Sequence, residues 1–353
     1  LAAEAVYDSA RPAITLSSLK GVVARTPIAL EAPVNVPLGG QLRIEGLALA
    51  LGDGRVALDV TQRPGALSAT ARAQKVPLGL LIALTGQTTE AGGTLSGDVT
   101  LAGQGRTGNG TADITIAPVT LSSLVGADVS EIPEFILDAD WDGRLVKARL
   151  TADMPGTEDL IATASLPVTA RDGMPYVAPK ARLEARLNGT LDVGAVWPLM
   201  PVDGHLMAGL LKLDMTAQGP FADMDISGTA RLEGGLYEGL ETGVVLSPLN
   251  VSLETRGGEA DVTVFARDGT TGTLAGEGSF DLRDTATDRL KVDMDMTSFR
   301  VQGRDDLTAL ASGDIKVRWA RGVDGAVEPL TIGGDVTVER LEARIPDQLA
   351  SDV

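Results

Sequence analysis

Between Leu290 and Gly303 the chain reads LKVDMDMTSFRVQG, with Val292, Met294 and Met296 alternating with Asp293 and Asp295. Successive side chains of a strand point to opposite faces, so this segment carries one apolar and one acidic face. The same period of two recurs along the chain. Val56, Leu58 and Val60 share a parity, as do Leu95, Val99 and Leu101 with Gly97 between them, and then Ile114 and Ile116. Further sets are Leu211, Leu213 and Met215; Leu249, Val251 and Leu253; Val262 and Val264; Ile315, Val317 and Trp319; and Val336 and Val338.

Turn residues punctuate these runs: Gly52-Asp53-Gly54, Asp142-Gly143, Gly257-Gly258, Asp268-Gly269 and Asp324-Gly325. Tight hairpin turns need positive φ, which glycine and aspartate tolerate, so the pattern predicts antiparallel strands in a meander. Parity slips twice. Met296 is even while Phe299 and Val301 are odd, which predicts a bulge near Thr297-Ser298. A second slip falls between Val338 and Leu341.

Two short helices are predicted, Leu78 to Thr85 after Pro77 and Val193 to Leu199. Each is followed by glycine and a new strand run. GGTLSGDVTLAGQG (from Gly92), GHLMAGLLKLDMTAQG (from Gly204) and LTALASGDIKVRWARG (from Leu307) share a leucine, a glycine, an alternating strand and a glycine turn. Gly97, Gly209 and Gly313 are spaced by 112 and 104 residues. ISGTARLEGG (from Ile226) and IGGDVTVERL (from Ile332) repeat the return strand, which suggests a loose internal repeat and a quasi-one-dimensional β array.

Composition removes several functions. The net charge of −18 opposes nucleic-acid binding and docking on an anionic bilayer through a basic patch. There is no cysteine, hence no disulfide and no thiol chemistry. The strongest apolar run, Val76 to Leu84, is about half the ~20 residues a membrane-spanning helix needs. Leu1 to Ala10 has no basic n-region, and the chain reads as an internal piece of a longer protein. His205 is the sole histidine, so neither a Ser-His-Asp triad nor a zinc site is expected. GQGRTG (from Gly103) matches GxGxxG but precedes the strand-like NGTADITIA, so it reads as a hairpin loop. GNGTAD (from Gly108) lacks the tandem nonapeptides of calcium-binding β-rolls. No catalytic residues, metal or cofactor are expected.

The segment GPFADMDISGTARLEGGLYEGLETGVVLSPLNVSLE (from Gly219) resembles the TamB family, envelope proteins of Gram-negative bacteria. Ser227-Gly228, Leu232, Gly235, Tyr237 and Leu240 carry the likeness. ARDGTTGTLAGEGSFDL (from Ala266) matches the family's turn-and-strand pattern, and RDDLTALASGDIKV and VERLEARIPDQL are similar to it as well. The likeness is clearest over 191–353, weaker over Val76 to Leu121 within a repeat region of 76–190, and limited to general β patterning over 1–75.

This resemblance implies an all-β fold: an elongated, curled antiparallel sheet, the β-taco, with a hydrophobic concave groove and one or two short helices. It implies a periplasmic location with an inner-membrane anchor outside this chain. It further implies transport of phospholipid acyl chains toward the outer membrane, and partnership with a TamA-like outer-membrane barrel through regions outside this chain. The groove is expected to be lined by Leu211, Leu213, Met215, Leu249, Val251, Leu253, Val262, Val264, Val292, Met294, Met296, Phe299, Val301, Ile315, Val317, Trp319, Val336 and Val338.

The alternation alone favours the dry core of a β-sandwich, and it is the resemblance that turns the reading to an open groove. A β-solenoid adhesin would show a repeat of about 20 to 30 residues, which is not found. A scaffold offering strand edges to client β-proteins is a further reading.

Overall fold

A computed structural model of the chain describes residues 2–10, 12–39, 41–84, 91–121, 131–132, 134–153, 157–197, 204–221, 223–281, 288–304, 306–320 and 330–344. It forms two compact units, Leu1–Arg186 with Gln218–Ala222, and Leu187–Ala217 with Asp223–Val353. Both are built of antiparallel sheet that is not closed into a barrel.

The first unit holds β1 (Ala2–Asp8), β2 (Ala13–Val23), β3 (Thr26–Leu30), β4 (Val34–Pro37), β5 (Leu42–Leu51), β6 (Gly54–Arg63) and β7 (Ala66–Pro77). Helix α1 (Leu78–Leu84) precedes β8 (Ala91–Gln104), β9 (Thr107–Leu121), β10 (Glu131–Ile132), β11 (Glu134–Trp141), β12 (Leu145–Asp153) and β13 (Glu158–Pro167). A separate hairpin, β14 (Thr169–Arg171) with β15 (Met174–Tyr176), follows. Strand β16 (Leu183–Asp192) contains both the division between the units and the 190/191 boundary read from sequence.

The second unit holds α2 (Val193–Val196), most of β17 (His205–Gly219), β18 (Asp225–Gly239), β19 (Val244–Arg256), β20 (Glu259–Arg267) and β21 (Thr273–Asp281). It ends with β22 (Asp288–Gly303), β23 (Leu307–Ala320), β24 (Thr331–Gly333) and β25 (Val336–Ala343). The helices start where the sequence places them. Thr85 and residues 198–199 lie outside the described residues, as does the Asp324-Gly325 turn. The side chain of Asp192 caps α2 by accepting from Gly194 N at 2.8 Å.

Turns close as their residues dictate. Arg256 opposes Glu259 across Gly257–Gly258, whose φ angles of 62° and 81° suit a two-residue hairpin that other residues adopt with strain. The GQGRTG stretch is the β8–β9 hairpin, with Gln104 opposite Thr107.

Both parity slips are bulges. Pairing of β22 with β23 jumps from Met296 to Phe299, and Ser298 has φ 43°. On β25, Val338 and Arg340 oppose neighbouring residues of β23, so Glu339 is the extra residue. The two bulges are tied across β23. Ser298 N donates to Ser312 Oγ at 2.7 Å, Ser298 Oγ donates to Glu339 Oε2 at 2.8 Å, and Ser312 Oγ donates to Glu339 Oε1. The Ser312 and then the Ser298 hydrogen bond hold the Glu339 carboxyl below its ordinary range.

Two of the three spaced glycines make the same contact. A Cβ on Gly97 would collide with Asp113 O and Ile114 Cα, and one on Gly313 with Asp335 O and Val336 Cα. Gly209 differs, meeting Gly235 Cα and a Leu232 methyl. Gly313 has φ 148°, a conformation closed to other L-residues. Gly313→Ala is therefore expected to cost about 1–3 kcal/mol. Amide exchange should accelerate in β25 and stay unchanged in β5–β9.

Candidate functional site

Register aligns the second unit's apolar residues into rows that cross the strands. One row runs Ala230, Leu253, Val262, Gly278, Val292, Val317. The next runs Leu232, Val251, Val264, Gly276, Met294, Ile315. A third runs Leu249, Ala266, Leu274, Met296, Gly313, Val336. Ala311 links Phe299 to Val338. Trp319 opposes Leu290, and its ring stacks on Phe280 at 6.4 Å.

Leu211, Leu213 and Met215 share one side of β17, and Leu211 packs against the Leu232–Leu249 cluster. Val301 sits in a further irregularity between Arg300 and Gln302, so no residue directly opposes it. With strands about 4.8 Å apart, each of these three rows extends over roughly 24 Å.

The described strands of this unit make one layer, and burial across the face is uneven. Leu249, Val292, Met296 and Phe299 are buried. Leu253, Val262, Val264, Met294, Ile315 and Val317 are only half-buried. Val336 and Val338 are 50% and 57% exposed. The opposite face carries Asp261, Glu277, Asp293, Asp295 and Lys316, all exposed. Its ion pairs, such as Arg318 to Asp293 at 2.6 Å, lie in solvent and contribute little to stability.

One rim of this face is knitted by a buried carboxylate. The β20–β21 hairpin is short, and β19 and β22 meet beyond its tip, where Gly303 N donates to Thr242 O at 2.9 Å. Asp268 at that tip is 2% exposed. Its Oδ1 accepts from Thr270 N at 2.9 Å, Thr270 Oγ1 at 2.7 Å and Gly272 N at 3.1 Å, and its Oδ2 accepts from Arg300 N of β22 at 2.9 Å. A Cβ on Gly272 would strike Asp268 and Ser298 O, so position 272 has room for glycine alone. The RDGTTG sequence is thereby a structural clasp beside the Ser298 bulge.

Burial pushes the Asp268 carboxyl up, but its four hydrogen bonds outweigh that and hold it below the ordinary range. A depressed folded-state pKa stabilises above the unfolded value of about 3.9, and the benefit is lost as pH falls through the folded value. Asp268→Asn should cost about 1–3 kcal/mol at neutral pH. The gap from wild type in urea melts should shrink below about pH 4.

Helix α2 covers part of the same face. Val193 and Trp197 pack on Leu232, Leu249 and Ala266. Trp197 Nε1 donates to His205 O at 2.9 Å, and His205 Nδ1 lies 2.7 Å from the Tyr237 hydroxyl with the rings stacked. The sole histidine thus belongs to the latch that seats α2. Among the described residues no group of three or more histidine, aspartate or glutamate side chains is placed to hold a metal ion. No helix among them is long and apolar enough to cross a membrane.

The first unit carries an equivalent face, for which the sequence pattern predicted no lining residues. Its rows include Leu58, Ala71, Val99, Ala112, Ala139, Ala148, Ala164 and, beside them, Val60, Ala69, Leu101, Gly110, Trp141, Val146, Leu166. Alanine hid this face, because alternation such as SATARAQ (from Ser68) has weak hydropathy contrast. Its strand ends are covered from both sides. α1 places Leu80 among Leu49, Leu51 and Val56, while Val168 and Ala170 pack on Leu101, Trp141 and Leu166. No protein-family model, curated protein or solved structure matches the chain.

Proposed function

We propose that this chain is an internal segment of a TamB-like bridge protein of the Gram-negative envelope. In this reading it lies in the periplasm and is anchored in the inner membrane by a segment outside this chain. Its apolar faces seat phospholipid acyl chains on their way to the outer membrane. A TamA-like barrel is engaged through regions outside this chain. The segment acts as a carrier, with no chemical step and no cofactor.

The observation that carries the reading is the continuous register of apolar residues across β18–β23 on a single layer, most of them only half-buried. Exposing a buried methylene to water costs about 0.8 kcal/mol, so a sixteen-carbon chain costs roughly 13 kcal/mol in free water. A face that offers apolar contact at every strand removes most of that cost. The rows contain no charged side chain between β18 and β23, so no position along them is marked out by a polar partner. Met294, half-buried on this face, has the flexible side chain that adapts to irregular guests.

A second reading, a scaffold for outer-membrane protein assembly, is favoured by one edge. All eight residues of β25 are exposed, and Val336, Val338 and Leu341 are at least half exposed. Such an edge suits pairing with a client strand.

Site-specific photo-crosslinking in envelope-containing cells separates the two. A probe at Met294 should capture phospholipid and a probe at Asp295, on the opposite face, should not. Equal lipid capture at both positions, or none at either, would sink the carrier reading. Outer-membrane protein captured at Thr337 with no lipid at Met294 would establish the scaffold instead.

A further inference from the structure

Strand β25 is an edge. Among the described residues only β23 pairs with it, and all eight of its residues are exposed. We propose that this edge pairs antiparallel with β25 of a second copy of the chain, about a twofold axis set between Glu339 and Arg340.

The strand's own pattern points to that occupant. Val336, Val338, Leu341 and Ala343 oppose Gly313, Ala311, Ala309 and Leu307, which are two apart along β23. They therefore share one face and one hydrogen-bonding phase. Thr337, Arg340 and Glu342 take the other face, where Glu339 reaches the hydroxyls of Ser298 and Ser312. Read from either end, the eight residues run apolar, polar, apolar, polar, polar, apolar, polar, apolar. An antiparallel second copy thus sets Val338 against Leu341 and Val336 against Ala343, apolar on apolar. Val336, Val338 and Leu341, at least half exposed in one copy, gain cover in the pair.

The bulge selects the same partner. A bulge sets two residues against one and so spoils an edge for a regular strand. Across the twofold each copy brings the same extra residue to the same place, and the counts match. A client strand without that extra residue lacks the match.

Charge complements the pattern. A chain of net charge −18 repels its own copy, so pairing needs local attraction. The twofold places Glu339 opposite Arg340 of the second copy, and Arg340 opposite its Glu339. Opposite charges directly across two strands stabilise the pair, and like charges destabilise it. The serine contacts hold the Glu339 carboxylate in place while leaving it exposed, and Arg340 is bonded in solvent to Glu342 of its own strand. The other wholly exposed strand, β1, carries only Glu4 and Asp8 as charges and has no such complementarity.

An eight-residue strand pair is smaller than a standard interface, so the dimer is weak and forms with rising concentration. The contact is isologous, which makes it testable by exchange of charge. Sedimentation velocity is run on the full chain over roughly 5 to 500 µM. Salt of about 0.15 M screens the long-range repulsion. The wild type should pass from monomer to dimer. Glu339→Lys and Arg340→Glu each put like charges across the axis, and each should weaken dimerisation at least about tenfold. Mixed one to one, these two variants should form a heterodimer close to wild-type affinity, because each then meets opposite charge at both positions. The chain with both substitutions should again dimerise with itself. Far-ultraviolet circular dichroism equal to the wild type's checks that each variant keeps its sheet, which matters for Glu339→Lys because it gives up the serine contacts.

A wild type that stays monomeric over the whole range overturns the proposal. So does dimerisation that the single variants leave unchanged, or a mixture and a double variant that recover nothing. The inference goes beyond the carrier reading and does not depend on it: none of these results alters lipid capture at Met294.

Discussion

Backbone register is the constraint on which the rest of the structure depends. A ladder hydrogen bond fixes which residues oppose each other, and the two-residue period fixes which face each side chain takes. One residue of slippage would turn Val292, Met294 and Met296 to the acidic side and Asp293 and Asp295 to the apolar side. The chain accepts slippage only where a bulge corrects it. Polar groups hold those bulges in place. Asp268 clasps the backbone of Arg300, and Glu339 takes both Ser298 and Ser312. Polar chemistry at the rim therefore preserves apolar chemistry on the face.

Side-chain size then grades that face. In the first unit the floor across β7–β13 is mostly alanine, and it sinks low enough beside Trp141 to leave an open trough. In the second unit the floor is valine and methionine, relieved at β21 by Gly276 and Gly278, where a Cβ would meet the neighbouring strand's Met294 or Lys291 carbonyl. Small floors bury little area for each ordered residue. Stability in such a sheet leans correspondingly on the ladders, the turns and the elements that cover the strand ends.

Much of this was legible in the sequence because period two is a strong signal. The all-β class, both short helices, the hairpin at Gly257-Gly258, and the bulges at Thr297-Ser298 and near Glu339 all follow from parity and turn residues. The long-range covering elements do not. Nothing local says that Trp197 folds onto Leu232 and Leu249, or that Gly173 comes to rest on Gly103, 70 positions earlier. The first unit's face was missed for a different reason: alanine is a weak hydrophobic marker, and seven aligned strands make a surface that no single strand announces. Trp141 had one signal, an aromatic residue in a chain with 3% aromatics, set just before the Asp142-Gly143 turn.

The acidic surface and the apolar face bear on the same question, which is what part of a lipid such a chain would hold. A net charge of −18 gives no attraction to anionic headgroups, and the exposed faces place carboxylates where a phosphate would be repelled. On the carrier reading, capture would then fall to the hydrocarbon alone. Apolar contact is non-directional and roughly proportional to area, so moving a guest by one strand exchanges one row of Val, Leu or Met for another of similar area. The free energy changes little between such positions, and the barriers stay low. A polar binding site would deepen one position and slow every chain that passed it. The alanine-floored trough beside Trp141 follows the same rule: it is open and apolar and adds no hydrogen bond, so on the carrier reading a chain leaves it without breaking a polar contact.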